Sequence, residues 1–311
     1  MDLTIPKEWE GKTLLSVIRC ELKVSMAALK HLKFIDRGIM LNGEHATVRR
    51  VVKEGDILTL RIEDFEESSE KLTPCDLPIR IAYEDSEVVV PDKPTNMPTH
   101  PSHGHYTDTV ANALAYRYEK MGVPFVFRPI NRLDRNTGGL LLVARTRLSA
   151  ARLSDAMKNG EIKKRYVALL DGALPDDEGV IDTYMRRTAE SIIVRENCAE
   201  GEGGDRAITE YKVIARNERY TFVSASPITG RTHQLRVHFS GLGFPITGDD
   251  MYGSPHKSLQ AHALQSYYLE FPHPTTSERV SVKAPLREDM RKLCAEVFDE
   301  EDIKVIDNLF S

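Results

Sequence analysis

The sequence predicts an α+β protein in which strands of a mixed sheet greatly outnumber a few helices. Three observations carry this prediction. The chain has 311 residues with 41% hydrophobic content, enough for two cores at roughly 100 to 200 residues per domain. From residue 77 onward, β-rich apolar runs recur at 79–83, 88–90, 139–144, 166–170, 207–215 and 221–225. Helical patterns are few and do not alternate regularly with these runs, which argues against a doubly wound parallel sheet.

The expected organisation is a small α/β unit over residues 11–63, a linker over 64–76 and a larger unit over 77–311. In the first unit, Ser25 is a natural N-cap for a helix with Met26, Leu29 and Leu32 on one face, and Arg37-Gly38 supplies the stop. Lys30, Lys33 and Arg37 then remain for the outside. Ile39-Met-Leu meets the turn pair Asn42-Gly43, and Asp56-Ile-Leu-Thr-Leu-Arg-Ile closes the unit as a strand. The linker is acidic and contains Ser and Pro74. In the larger unit, helices are expected over 147–159, started by Thr146 and stopped by Asn159-Gly160, over 232–240, over 287–298 and over 302–310.

Composition excludes several classes. With 19 Gly, 16 Pro and no long block of one charge sign, the chain is neither low-complexity nor mainly disordered. Its longest apolar stretches, such as 140–144, fall far short of the roughly 18 residues a membrane span requires, so no membrane partner is expected. The first eleven residues lack the basic start and apolar run of a signal peptide, and the four cysteines, at 20, 75, 198 and 294, form no CxxC pair. A reducing, cytoplasmic setting is the expectation. The formal net charge of -5 conceals two basic blocks, with ten Lys/Arg against five Asp/Glu over 12–61 and ten against three over 128–166. Such blocks favour a polyanionic partner whatever the total charge.

The densest chemistry lies in Arg128-Pro-Ile-Asn-Arg-Leu-Asp-Arg-Asn-Thr-Gly-Gly-Leu-Leu-Leu. Asp134 is the sole acid between Glu119 and Asp155, and it stands among arginines just before an apolar strand. An isolated Asp-Arg pair is ordinarily structural, but a basic channel ending in one carboxylate would attract a polyanion and then act on it. A second cluster, Ser226-Pro-Ile-Thr-Gly-Arg-Thr-His-Gln-Leu-Arg-Val-His, places Arg231 at a helix entrance, with Thr232 as the expected cap and Arg236 about one turn later. A third, Lys163-Lys-Arg-Tyr-Val-Ala, carries Tyr166, whose ring either fills the core or stacks on a base.

Taken in order, Asn-Arg-Leu-Asp-x-x-Thr-Gly-Gly-Leu-Leu-Leu, Lys-Lys-Arg-Tyr-Val-Ala, Thr-Gly-Arg-Thr-His-Gln-Leu-Arg-Val-His, Gly-Phe-Pro-Ile-x-Gly-Asp-x-x-Tyr-Gly and Leu-Gln-Ala-His-Ala closely resemble the RluA family of RNA pseudouridine synthases over about residues 77–286. Asp92-Lys-Pro-Thr-Asn-Met-Pro-Thr-His-Pro-Ser resembles that family's early loop. In front of it, the basic helix followed by Arg37-Gly-Ile-Met-Leu-Asn-Gly and Val52-Lys-Glu-Gly-Asp-Ile resembles the S4 RNA-binding domain.

The resemblance implies a pseudouridine synthase fold, a mixed and mainly antiparallel sheet with a central cleft, and no cofactor. It implies Asp134 as catalytic carboxylate, Tyr166 as active-site aromatic and Arg236 as the partner of Asp134, expected to hold it by a charge-assisted bidentate bond. Arg132, Arg135, Arg231, His233 and Gln234 are expected on RNA, with Arg132 filling the place of a flipped base or gripping the backbone, and with Lys30, Lys33 and Arg37 contributing from the S4-like unit. Ribosomal RNA is the favoured partner, transfer RNA the alternative. Whether Asp134 acts as nucleophile or base stays open. Two departures stand out: Asn131 where the family usually has His, and Gly139 where Ser is usual.

Two rival readings remain. His100, His103 and His105 sit in a Pro/Ser/Gly loop without nearby acids or cysteines, so a metal site is not expected. A module that binds structured RNA without isomerising it is the other, against which Asp134, Tyr166 and Arg236 stand together.

Overall fold

The computed structural model describes residues 2–22, 24, 29, 32–33, 37–61, 72–191 and 193–310. Within these the chain forms two sheets, one of four strands and one of twelve. The small sheet has β1 (Asp2–Thr4), β2 (Ile39–Leu41), β3 (Glu44–His45) and β4 (Ile57–Leu60) in the order β1-β4-β2-β3. Asn42 and Gly43 take φ values of 54° and 79°, the left-handed pair that a two-residue hairpin needs. Asn42 also receives the Ile57 N–H at 2.7 Å. Because β1 pairs with β4, the small sheet also takes in residues that precede the expected start at 11. Leu14–Ser16 forms a helical turn capped by Thr13 and continued over Val17–Glu21. Ile5, Leu14, Val17, Leu29, Leu32, Leu41 and Leu58 share one buried cluster. Of the helix expected after Ser25, the cap, Met26 and Lys30 lie outside the described residues, as does 64–71 of the linker.

The large sheet holds β5 (Arg80–Glu84), β6 (Val88–Lys93), β7 (Arg128–Pro129), β8 (Gly138–Leu140), β9 (Val143–Ala144), β10 (Lys163–Asp171), β11 (Glu178–Arg187), β12 (Arg195–Cys198), β13 (Asp205–Arg216), β14 (Tyr220–Pro227), β15 (Leu264–Pro272) and β16 (Arg279–Lys283). Its order is β12-β11-β13-β14-β10-β15-β8-β6-β9-β7, with β5 on β6 and β16 on β15. The β8–β15 pair is parallel, while the other pairs are antiparallel, so the sheet is mixed and mainly antiparallel as expected.

Four helices fall where the sequence places them, within two residues at most ends: Arg147–Lys158, Gln234–Gly241, Glu288–Val297 and Glu300–Asn308. Thr146 caps the first of these by accepting the Ser149 N–H. A fifth helix, Val110–Lys120, which the sequence reading did not place, opens on a Thr109–Asn112 capping box. No helix among the described residues is long and apolar enough to cross a membrane.

Of the central strands, β8 is wholly buried, β15 is mostly buried, and β10 is buried from Tyr166 to Leu170. At Gly139, φ is +106° and a Cβ would sit 2.0 Å from the Ser266 carbonyl oxygen. No side chain fits there, since the parallel β8–β15 pairing brings the two backbones together. At Gly138 an added Cβ meets nothing nearer than 3.4 Å, so a side chain has room there that it lacks at 139.

Candidate active site

Asp134 stands in the loop between β7 and β8, and that loop is pinned along its length. Asn131 Oδ1 accepts the Leu142 N–H at 2.8 Å. Thr99 Oγ1 donates to the Leu133 carbonyl at 2.9 Å and accepts the Leu133 N–H at 3.2 Å. The Asp134 carbonyl takes the Thr137 N–H at 3.1 Å. Lys93, fully buried, donates to the carbonyls of Pro94, Met97 and Arg135 at 2.9, 2.8 and 3.0 Å. Burial pushes its pKa down to about 7, against the pull of Asp134. These bonds fix the backbone that carries the Asp134 carboxylate. Asn131 thus does a backbone-pinning task. Its Nδ2 is buried without a partner.

The loop closes one side of a cavity of about 480 Å³ over the centre of the sheet. Lys164 and Tyr166 from β10, the segment from Pro227 to Arg236 and Leu264 of β15 complete it. Asp134 is the sole carboxylate among the described lining residues, beside Arg132, Lys164, Arg231 and Arg236. Tyr166 is 8% exposed. Burial first, and then the nearby Asp134, raise its phenol pKa well above the ordinary range despite a hydrogen bond with Ser266, so its hydroxyl stays neutral.

Arg236 approaches Asp134 differently from expectation. Its Nη1 lies 3.8 Å from Asp134 Oδ2, while Nε and Nη2 form the bidentate pair with Asp249, at 2.6 and 2.7 Å. The fork is therefore spent on Asp249, a residue the sequence reading left aside although it lies in the Gly-Asp-x-x-Tyr-Gly motif. This frees Asp134 from tight engagement while leaving a cation beside it. His233 Nε2 lies 3.8 Å from the same Oδ2, and its Nδ1 shares a 2.9 Å hydrogen bond with the Tyr252 hydroxyl. Burial, outweighing Asp134, lowers the His233 pKa.

The segment before the helix Gln234–Gly241 also corrects the sequence reading. His233 stands at the N-cap in the left-handed region, φ 60°, without a side-chain cap, and Thr232 does not cap. Gln234 leaves the helix end uncapped and braces the preceding loop on β13: its Oε1 accepts from Thr229 Oγ1 and the Arg231 N–H at 2.7 and 3.0 Å, and its Nε2 donates to the Ile208 carbonyl and Thr209 Oγ1, both at 2.9 Å. Its amide has no donor left for RNA, so Gln234 builds the turn that aims His233. Left-handed non-glycine residues are strained and cluster at functional sites.

Of the other expected contacts, Arg132 is exposed at the cavity mouth and Arg231 is exposed beside it. Arg135 is turned towards Asn136 and His105 and does not line the cavity. Lys33 and Arg37 are exposed on the first unit, away from the cavity lining, and Lys30 is not among the described residues. Two of the loop histidines diverge: His100 packs edge-on against Phe127, while His105 pairs at 2.6 Å with Asp108, an acid three residues on that corrects the expectation of none nearby.

Two further histidines under the cavity set an acid limit. Burial drives the His238 pKa down to about 4, and holds that of His262, which bonds Thr137 Oγ1 at 2.9 Å, far below its usual value. Below about 6.5 the unfolded chain binds protons that these neutral buried rings do not, so folding stability falls as pH drops from about 6.5 towards 4. The thermal midpoint of the wild type is expected to fall more steeply over that window than that of His238→Gln. Parallel curves would exclude this origin.

A lone carboxylate in a cavity whose other charged lining residues are all cations suits an enzyme acting on a polyanion. Comparison with known proteins narrows the class to one family. The family model described as RNA pseudouridylate synthase matches residues 87–241. A Bacillus subtilis protein named uncharacterized RNA pseudouridine synthase YjbO is 39% identical over 88% of this chain and 95% of its own length. The ribosomal large subunit pseudouridine synthase D of Zymomonas mobilis is 32% identical over 87% and 89%. Among solved structures, human RNA pseudouridylate synthase domain containing 1 superposes with a TM-score of 0.54 at 29% identity, covering 67% of this chain and 83% of that one. The chain belongs to the RNA pseudouridine synthase family and is an isomerase of uridine in RNA.

Proposed function

We propose that this enzyme isomerises specific uridines of large-subunit ribosomal RNA in the cytoplasm, with Asp134 as the catalytic carboxylate, Tyr166 against the base and Arg236 as the cation beside Asp134. The observation that carries this reading is the single carboxylate within 3.8 Å of both Arg236 and His233 in a cationic cavity. The reaction breaks C1′–N1, turns the detached uracil and joins C1′ to C5. The C5 hydrogen leaves to solvent and N1 regains a proton, so atoms balance with neither redox change nor an imported group. Asp134 serves beside the ribose as nucleophile or as base.

The target must leave its stack, at a cost of a few kcal/mol, and Tyr166 offers it an aromatic face inside the cavity. Arg132 and Arg231 at the mouth face the strand that remains outside. The relatives named for the ribosomal large subunit support ribosomal over transfer RNA, and the unit over the first sixty residues, with Lys33 and Arg37 exposed, is read as an S4-like anchor on structured RNA.

The test is tritium release from transcripts labelled at uridine C5. Release from large-subunit ribosomal RNA is expected. Release from transfer RNA alone would overturn the substrate assignment, and release from neither would overturn the activity proposed for this site.

A further inference from the structure

On the β11–β12 hairpin, Arg187 stands directly opposite Arg195 in the ladder. Like charges facing each other across strands are destabilising, and the adjacent rung shows the ordinary solution, with Arg186 opposite Glu196 and bonded to it at 2.8 Å. Arg195 Nη1 is buried without a hydrogen-bond partner, a costly state for a charged donor. Arg186, Arg187, Arg195 and Arg231 line a pocket of about 370 Å³, with Asp205 as the sole carboxylate among its described lining residues. Asp205 lies 3.7 Å from Arg231, so it answers only part of this charge.

The pocket adjoins the active-site cavity, since Gly230, Arg231 and Thr232 line both. A short chain of contacts fixes their relation: the Arg195 N–H donates to the Tyr252 hydroxyl at 2.9 Å, the same hydroxyl meets His233 at 2.9 Å, and His233 reaches Asp134.

We propose that the Arg187–Arg195 pocket is a phosphate-binding subsite that grips the RNA backbone next to the uridine held at Asp134. This rests on the reading of the cavity as the uridine site. A phosphate between the two guanidiniums removes their mutual repulsion and gives the buried Nη1 an acceptor. Its place beside the cavity suits the strand flanking a flipped nucleotide, whose position the contact would fix. Phosphate contacts of this kind set register and carry no base preference.

The experiment uses the full chain and a tritiated large-subunit ribosomal RNA transcript, measuring dissociation constants across a range of KCl concentrations together with steady-state tritium release. Arg187 is exposed, so Arg187→Gln tests the pocket without disturbing the core. Binding is expected to weaken roughly tenfold at low salt, and the slope of log Kd against log salt to become shallower by about 0.7 to 1. The loss should fall mainly on KM, and Arg187→Lys should restore much of the slope but less of the affinity, since lysine lacks the fork. Arg195→Gln should behave like Arg187→Gln. Unchanged slope and KM in both Gln variants, with an active wild type, would overturn the subsite while leaving the activity intact. A shallower slope in a protein whose wild type releases no tritium would keep the phosphate subsite and sink the uridine site instead.

Discussion

Asp134→Asn is expected to abolish tritium release, by about a thousandfold or more, while RNA affinity is kept or slightly improved. The amide matches the carboxylate in size, and the features that hold the loop do not use this side chain. They are the Asp134 carbonyl to the Thr137 N–H, Lys93 to the Arg135 carbonyl, and Thr99 to Leu133. The contacts the carboxylate itself makes with Arg236 and His233 are long, at 3.8 Å each, so their weakening leaves the fold nearly unchanged. What disappears is the charge and the nucleophilic or basic oxygen. The sign of the binding change follows from the same charge: removing the sole described acid from a cationic cavity removes its repulsion of phosphates. Coincident denaturation curves, with binding retained and release lost, would assign the chemistry to this group. Persistent release in the Asn variant would transfer it elsewhere.

Much of this arrangement was legible in the sequence because the informative signals are local. The turn pair Asn42-Gly43, the Thr146 cap and the apolar run of β10 declare themselves within a few residues. So does an acid isolated among arginines, and Asp134, Tyr166 and Arg236 do line one cavity. What stayed hidden depends on partners distant in sequence. Whether an arginine forks to one aspartate or another is decided by packing, and Arg236 chose the one 13 residues away. Lys93 has no role of its own in the motif that contains it until β6 and the Asp134 loop enclose it and three carbonyls accept its hydrogen bonds. Gln234 looks like an RNA contact until the left-handed turn at His233 requires its amide for backbone groups. The strands β11, β12, β15 and β16 also escaped notice: β11 and β12 are rich in charged residues that mask a period-2 pattern, and β15 derives its stability from neighbours on both sides.

Replacing Asp249 is expected to have the largest effect on stability, and an effect on catalysis that stability does not explain. The Asp249 side chain is fully buried and Arg236 is 5% exposed, so each ion depends on the other. Asp249 also accepts the N–H groups of Met251 and Tyr252 at 3.0 and 3.1 Å. Although burial alone would raise the Asp249 pKa, the hydrogen bond and charge of Arg236 hold it below the usual carboxylate value. This contribution to stability is therefore present above about pH 4 and lost as pH falls through the lowered pKa.

Asp249→Leu leaves a buried guanidinium without its anion, a loss of about 3–5 kcal/mol that should appear as a large fall in the urea midpoint. Asp249→Asn keeps one acceptor and should lose less. Under conditions where the Asn variant is fully folded, Arg236 has lost its charged partner and Asp134 is the nearest remaining carboxylate. Closing the present 3.8 Å gap would tie up the reacting oxygen, so tritium release at saturating RNA should fall while RNA binding holds. A folded Asn variant with wild-type release would show that Asp249 only supports the fold, and that the spacing between Arg236 and Asp134 is set by other contacts.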